Sequence, residues 1–101
     1  MKNNKIRLVN ITSGFDLKNK FSTIKEKSNY IFDISSLEKK TQDIIKEKLI
    51  TFGKLLNKNN CSFVIVSKHL KTFDVNIVPT QEEAYDIIEL EEIERDILKN
   101  E

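Results

Sequence analysis

Tyr30-Ile31-Phe32-Asp33-Ile34 and Ser62-Phe63-Val64-Ile65-Val66, with the run Thr41–Lys58 between them, decide the fold. Both short segments are apolar at consecutive positions, the pattern of strands buried on two faces. Between them, Ile44, Ile45, Leu49, Phe52, Leu55 and Leu56 recur at helical spacing, as on a helix lying against a sheet. Thr41 is the expected N-cap of that helix, with Asp43 in its first turn. Asn59-Asn60 ends it. A strand, a helix and a second strand at this spacing predict a crossover between parallel strands.

Outward from this unit the alternation continues. Residues 5–12 place Ile6, Leu8, Val9 and Ile11 in a strand-like pattern, and Ser13-Gly14 turns the chain. Phe15, Leu17, Phe21 and Ile24 then fall near helical spacing, with Asp16 at the start and Lys25 and Lys27 at the end, as the helix dipole favours. Beyond the central unit, residues 68–74 are polar and irregular, and Val75-Asn76-Ile77-Val78 reads as a short strand stopped by Pro79. Thr80-Gln81-Glu82-Glu83 is a capping box opening a helix over about 80–98. The expected fold is α/β: a single domain over 1–101 with its core over about 5–89. Its sheet is mixed, mostly parallel, in the order β-α-β-α-β-β-α, and the last helix extends beyond the core.

Composition narrows the function. The 101 residues are 39% apolar and 33% charged with two Gly and one Pro, enough to close one core and too ordered for long linkers. No apolar run approaches the roughly 18 residues that span a bilayer, and no signal-peptide core follows Met1-Lys2-Asn3-Asn4-Lys5. A cytoplasmic protein without a membrane segment is expected. Cys61 and His69 are the only cysteine and histidine, so thiolate zinc sites and histidine-cluster metal centres are excluded, and no metal or cofactor is expected. A Cys61–His69 pair is formally open, although Cys61 opens a buried strand, where a thiol is inert packing. Gly14 and Gly53 are too far apart to build a phosphate cradle, and there is no Gly-x-Ser-x-Gly elbow. The chain reads as no enzyme.

The net charge of +1 hides two opposed parts. Residues 1–71 carry 15 Lys/Arg against 6 Asp/Glu, and residues 72–101 carry 2 against 10, so the parts stand at +9 and −8. A basic body can attract phosphate backbones or an acidic partner. Lys, Asn and Ile make up 39 of the 101 residues, the set encoded by A/T-rich codons, so genome composition also accounts for the lysines. Arg, the better bidentate reader of phosphate and bases, appears only as Arg7 and Arg95.

Four stretches resemble the STAS domain of the anti-anti-sigma factors and sulfate-transporter tails. They are Tyr30-Ile31-Phe32-Asp33-Ile34-Ser35, the helix from Thr41, Ser62-Phe63-Val64-Ile65-Val66, and Ile77-Val78-Pro79-Thr80-Gln81-Glu82-Glu83-Ala84. Together they cover most of residues 29–90. The resemblance implies a regulatory module that acts by binding a protein, with a phosphorylated serine just before the helix. The equivalent positions here are Thr41-Gln42-Asp43-Ile44, without that serine. Thr41, with Asp43 beside it, is the phosphoacceptor the resemblance implies; the N-cap role explains Thr41 without phosphorylation and is the preferred reading of the residue. Residues 78–96 also resemble short bacterial proteins often called ribonuclease Z, whose metal chemistry needs a histidine cluster that one histidine cannot supply.

The last helix carries more apolar residues than one face holds. Ala84, Ile87 and Ile88 fall within about 100° of one another and suit a core. Leu90, Ile93 and Ile97 form a second stripe roughly 140° or more away, flanked by Glu89, Glu91, Glu92, Glu94 and Asp96. Such a stripe is either a docking seam for a protein partner or a second copy, or a core contact made by a bent helix. The expected function is a STAS-like, non-catalytic interaction module that docks through Leu90, Ile93 and Ile97. The alternatives are an RNA- or ribosome-associated accessory protein using Lys39, Lys40, Lys46, Lys48, Lys54 and Lys58, or a structural subunit of a larger assembly.

Overall fold

In the computed structural model, residues 5–13 and 28–99 are described. The helix expected over about 15–27 lies outside them. The described elements are β1 (Ile6–Asn10), β2 (Asn29–Asp33), α1 (Lys39–Lys58), β3 (Phe63–Val66), β4 (Asn76–Val78) and α2 (Gln81–Lys99). The four strands form one sheet in the order β1-β2-β3-β4, and every neighbouring pair is parallel. The mixed sheet expected from sequence therefore gives way to an all-parallel one among the described residues. The cause lies between β3 and β4: residues 67–75 make a crossover where a hairpin would have reversed the chain. Leu70 and Val75 of this crossover are buried in the same core as α1.

Alternation along β2 and β3 sorts their side chains between two layers. Tyr30, Phe32, Phe63 and Ile65 share a core with Ile45, Leu49 and Leu56 of α1. Ile31, Val64 and Val66 meet Ala84 and Ile88 of α2. Helices on both faces explain why the two central strands are apolar at consecutive positions. On the α1 side, Phe52 reaches into a ring cluster, 5.4 Å from Phe32 and 5.5 Å edge-on from Phe63, centroid to centroid. Gly53 lets the helix come this close: a Cβ there would sit 2.6 Å from Phe63 Cδ2 and 2.7 Å from Val75 Cγ1.

The ends of α1 are set by different means. At its C-terminus, Asn60 adopts a left-handed φ of 62°. The Cys61 N–H then bonds Leu56 O and the Asn60 N–H bonds Asn57 O, a Schellman arrangement. At its N-terminus the helix starts at Lys39, with extended Glu38 as N-cap and no side-chain cap. Thr41 is thus the third helical residue and not the N-cap, and Asp43 lies beyond the first turn. Gln42 sets the start instead. Its Nε2 donates to Leu37 O at 2.9 Å, and its Oε1 accepts from Ser67 Oγ at 2.6 Å. Ser67 Oγ in turn accepts from the His69 and Leu70 amides, tying the head of α1 to the β3–β4 crossover.

Candidate functional site

The helix α2 starts where the strands end and runs back along the sheet. At its head, the Glu83 N–H donates to Thr80 Oγ1 at 3.3 Å, and the Thr80 hydroxyl donates to the Glu83 carboxylate at 2.9 Å. Thr80 therefore caps the helix as expected, while Glu83 closes on the hydroxyl in place of the Thr80 amide. Gln81 Nε2 donates to Asp33 Oδ2 at 2.6 Å, joining the first residue of α2 to the last of β2. The other oxygen of Asp33 accepts from the Ser35 amide at 2.9 Å and from the Ser35 hydroxyl. Burial raises the Asp33 carboxyl. The bonds from the Ser35 hydroxyl, Gln81 and the Ser35 amide outweigh it and hold the pKa below the ordinary 3.8.

Near its other end, α2 is held by a buried polar bridge. Asn29, fully buried at the start of β2, accepts the Ser62 N–H on Oδ1 at 2.6 Å. Its amide donates to Glu92 Oε1 at 2.8 Å, and Arg95 Nη2 reaches the same oxygen at 2.6 Å. Glu92 is accordingly buried against the sheet. It does not border the second stripe, as the sequence reading expected, and Glu91 and Asp96 are only half-exposed.

With Ala84, Ile88 and Glu92 facing the sheet, the opposite side of α2 is turned outward. Leu90, Ile93 and Ile97 are 57%, 55% and 56% exposed on one continuous helix. No bend brings them to the core. Asp86 lies in line with them, and Glu89 and Glu94 border them, all exposed. Ile87 is half-buried, and Ala84 and Ile88 are fully buried.

The structure does not bring Thr41 and Asp43 to this stripe. Thr41 is half-buried and Asp43 exposed on α1, which covers the other face of the sheet. The formal Cys61–His69 pair is likewise split, because the two residues stand at opposite ends of β3. Among the described residues, no group of His, Cys, Asp and Glu could hold a metal, and no helix is long and apolar enough to cross a membrane.

One feature of α1 departs from the sequence reading. Ile44 and Leu55, expected in the core, are 70% and 56% exposed. They stand eleven residues apart, within about 20° of each other around the axis, and point away from Leu49 and Leu56. A helical wheel contains that signal; counting apolar residues at i and i+4 hides it.

Comparison with protein-family models, with curated proteins and with solved structures finds no match for this chain.

Proposed function

We propose that the chain is a STAS-like, non-catalytic interaction module of the cytoplasm that docks a protein partner through the outer face of α2. The supporting observation is the exposure of Leu90, Ile93 and Ile97 in one stripe on a helix whose opposite side is fixed to the sheet by Asn29 and Glu92. Single exposed apolar residues are ordinary, but three large ones aligned over two turns form an interaction patch. The acidic residues beside them favour a partner surface carrying positive charge. Thr41, half-buried in the first turn of α1, is the phosphoacceptor that the STAS resemblance implies.

The test is capture of bound proteins from the native cell by the tagged full chain and by an Ile93→Glu variant, each with and without nuclease. The expected result is a nuclease-resistant protein partner lost in the variant. A partner retained by Ile93→Glu contradicts the proposal. Ribosomal proteins or RNA that vanish on nuclease treatment would assign function to the lysines of α1 instead.

A further inference from the structure

We infer that the partner of the α2 outer face is the outer face of α1 on a second copy, so that the chain associates head to tail. The inference rests on the docking role of α2 and names its occupant. Two observations carry it, the charge of the two helices and the directions in which they point.

The outer face of α1 carries Ile44 and Leu55 in line with Lys40, Lys48 and Lys58, all exposed. That of α2 carries Leu90, Ile93 and Ile97 in line with Asp86 and bordered by Glu89 and Glu94. Over its whole length α1 has six lysines against Asp43 and Glu47, a net +4. By the same reckoning α2 has eight carboxylates against Arg95 and Lys99, a net −6. Each face is an apolar stripe with charged borders: lysines outnumber exposed Glu47 beside the α1 stripe, and carboxylates border the α2 stripe. Ile44 and Leu55 stand eleven positions apart on α1, and Leu90, Ile93 and Ile97 fall within the seven positions from 90 to 97 on α2, so the α2 stripe fits within the length of the α1 face.

Charge decides between the two ways of self-association. A symmetric dimer through α2 would set carboxylates against carboxylates, and one through α1 would set lysines against lysines; like charges so juxtaposed are repulsive. A contact between α2 of one copy and α1 of the next sets a helix of net −6 against one of net +4. Because the helices cover opposite faces of the sheet, a copy can use both outer faces at once. The contact is heterologous and propagates into rings or open chains. It is also small. Stripes of two to three helical turns are short of the roughly 1,200 Å² of a standard interface, so a weak association that depends on concentration is expected.

Sedimentation velocity on the purified full chain, over a series reaching about 1 mM, tests this. The variants are Ile93→Glu, which spoils the α2 face, and Ile44→Glu, which spoils the α1 face. Circular dichroism checks their folding, and Ile97→Glu and Leu55→Glu replace any variant that fails to fold. The wild type is expected to rise in average mass past the dimer as concentration increases, and to fall back as salt screens the charges. Each variant alone stays at monomer mass. An equimolar mixture of the two forms a one-to-one dimer, because each keeps the face the other lacks. A monomeric wild type, association that survives either single variant, or a mixture that yields no dimer overturns the inference. None of these bears on whether α2 docks a different protein, which the capture by wild type and Ile93→Glu decides separately.

Discussion

Replacing Asn29 with Ala should loosen the seating of α2 on the sheet, and its cost can be worked from the bonds that are lost. The Ser62 N–H, buried between β2 and β3, loses the Asn29 Oδ1 that it reaches at 2.6 Å. A buried donor left unpaired costs about 1–3 kcal/mol. Glu92 loses the amide donor at 2.8 Å and keeps Arg95. A hydrogen bond to a charged group is worth about 1.5–3 kcal/mol, and the side chain leaves a small void. Partial relaxation brings the expected total to about 3 kcal/mol, a large share of the roughly 5–15 kcal/mol that stabilises a domain of this size. At about 4–8 °C per kcal/mol, the melting temperature should fall by roughly 12–24 °C. Urea unfolding followed by circular dichroism measures the cost. Adding Glu92→Ala in a double-mutant cycle isolates the coupling, expected at about 1–3 kcal/mol. A loss below about 1 kcal/mol for Asn29→Ala, or a coupling near zero, would refute the bridge as what holds α2 in place.

Three further predictions concern Gly53, Ser62 and Asp33. Gly53→Ala should destabilise by about 1–2 kcal/mol, because overpacking against Phe63 and Val75 outweighs the gain in helix propensity; a more stable variant would show that α1 can move off the sheet. Ser62→Ala should stabilise by about 1 kcal/mol, since the buried Ser62 hydroxyl has no hydrogen-bond partner among the described residues; destabilisation in thermal unfolding would reveal a partner for it. The Asp33 carboxyl is lowered in the folded state, so its stabilising contribution is full above pH 3.8 and is lost as pH falls through the lowered folded value. The stability difference between wild type and Asp33→Asn should therefore shrink below pH 3.8, and a difference constant from about pH 5 to pH 2 would refute this.

The parts of the fold that were legible in sequence are those where one local pattern has one physical cause. Tyr30–Asp33 and Phe63–Val66 read as doubly buried strands because helices cover both faces of the sheet. Thr80 and Glu83 marked the head of α2 because the cap is made within four residues. Asn59-Asn60 marked the end of α1 because Asn tolerates the left-handed turn that a Schellman motif requires. Long-range partners were not legible. Thr41 looked like the N-cap, but Gln42, bonded to Ser67 across 25 positions of sequence, sets where α1 begins. Glu92 looked like a solvated border residue until Asn29, 63 positions away, supplied a reason for burial. A parallel β4 depends on how residues 67–75 cross, which a polar loop does not announce. The α2 stripe was visible on a helical wheel; its exposure needed the bridge behind it.

Site-specific photo-crosslinking in the native cell tests most directly whether the outer face of α2 docks a protein. A photoreactive residue in place of Leu90 is compared with one in place of Lys68, an exposed residue of the β3–β4 crossover. Covalent protein adducts formed from position 90, and few from position 68, are the predicted result. No adducts from position 90, or equal yields from the two positions, would contradict docking at this face.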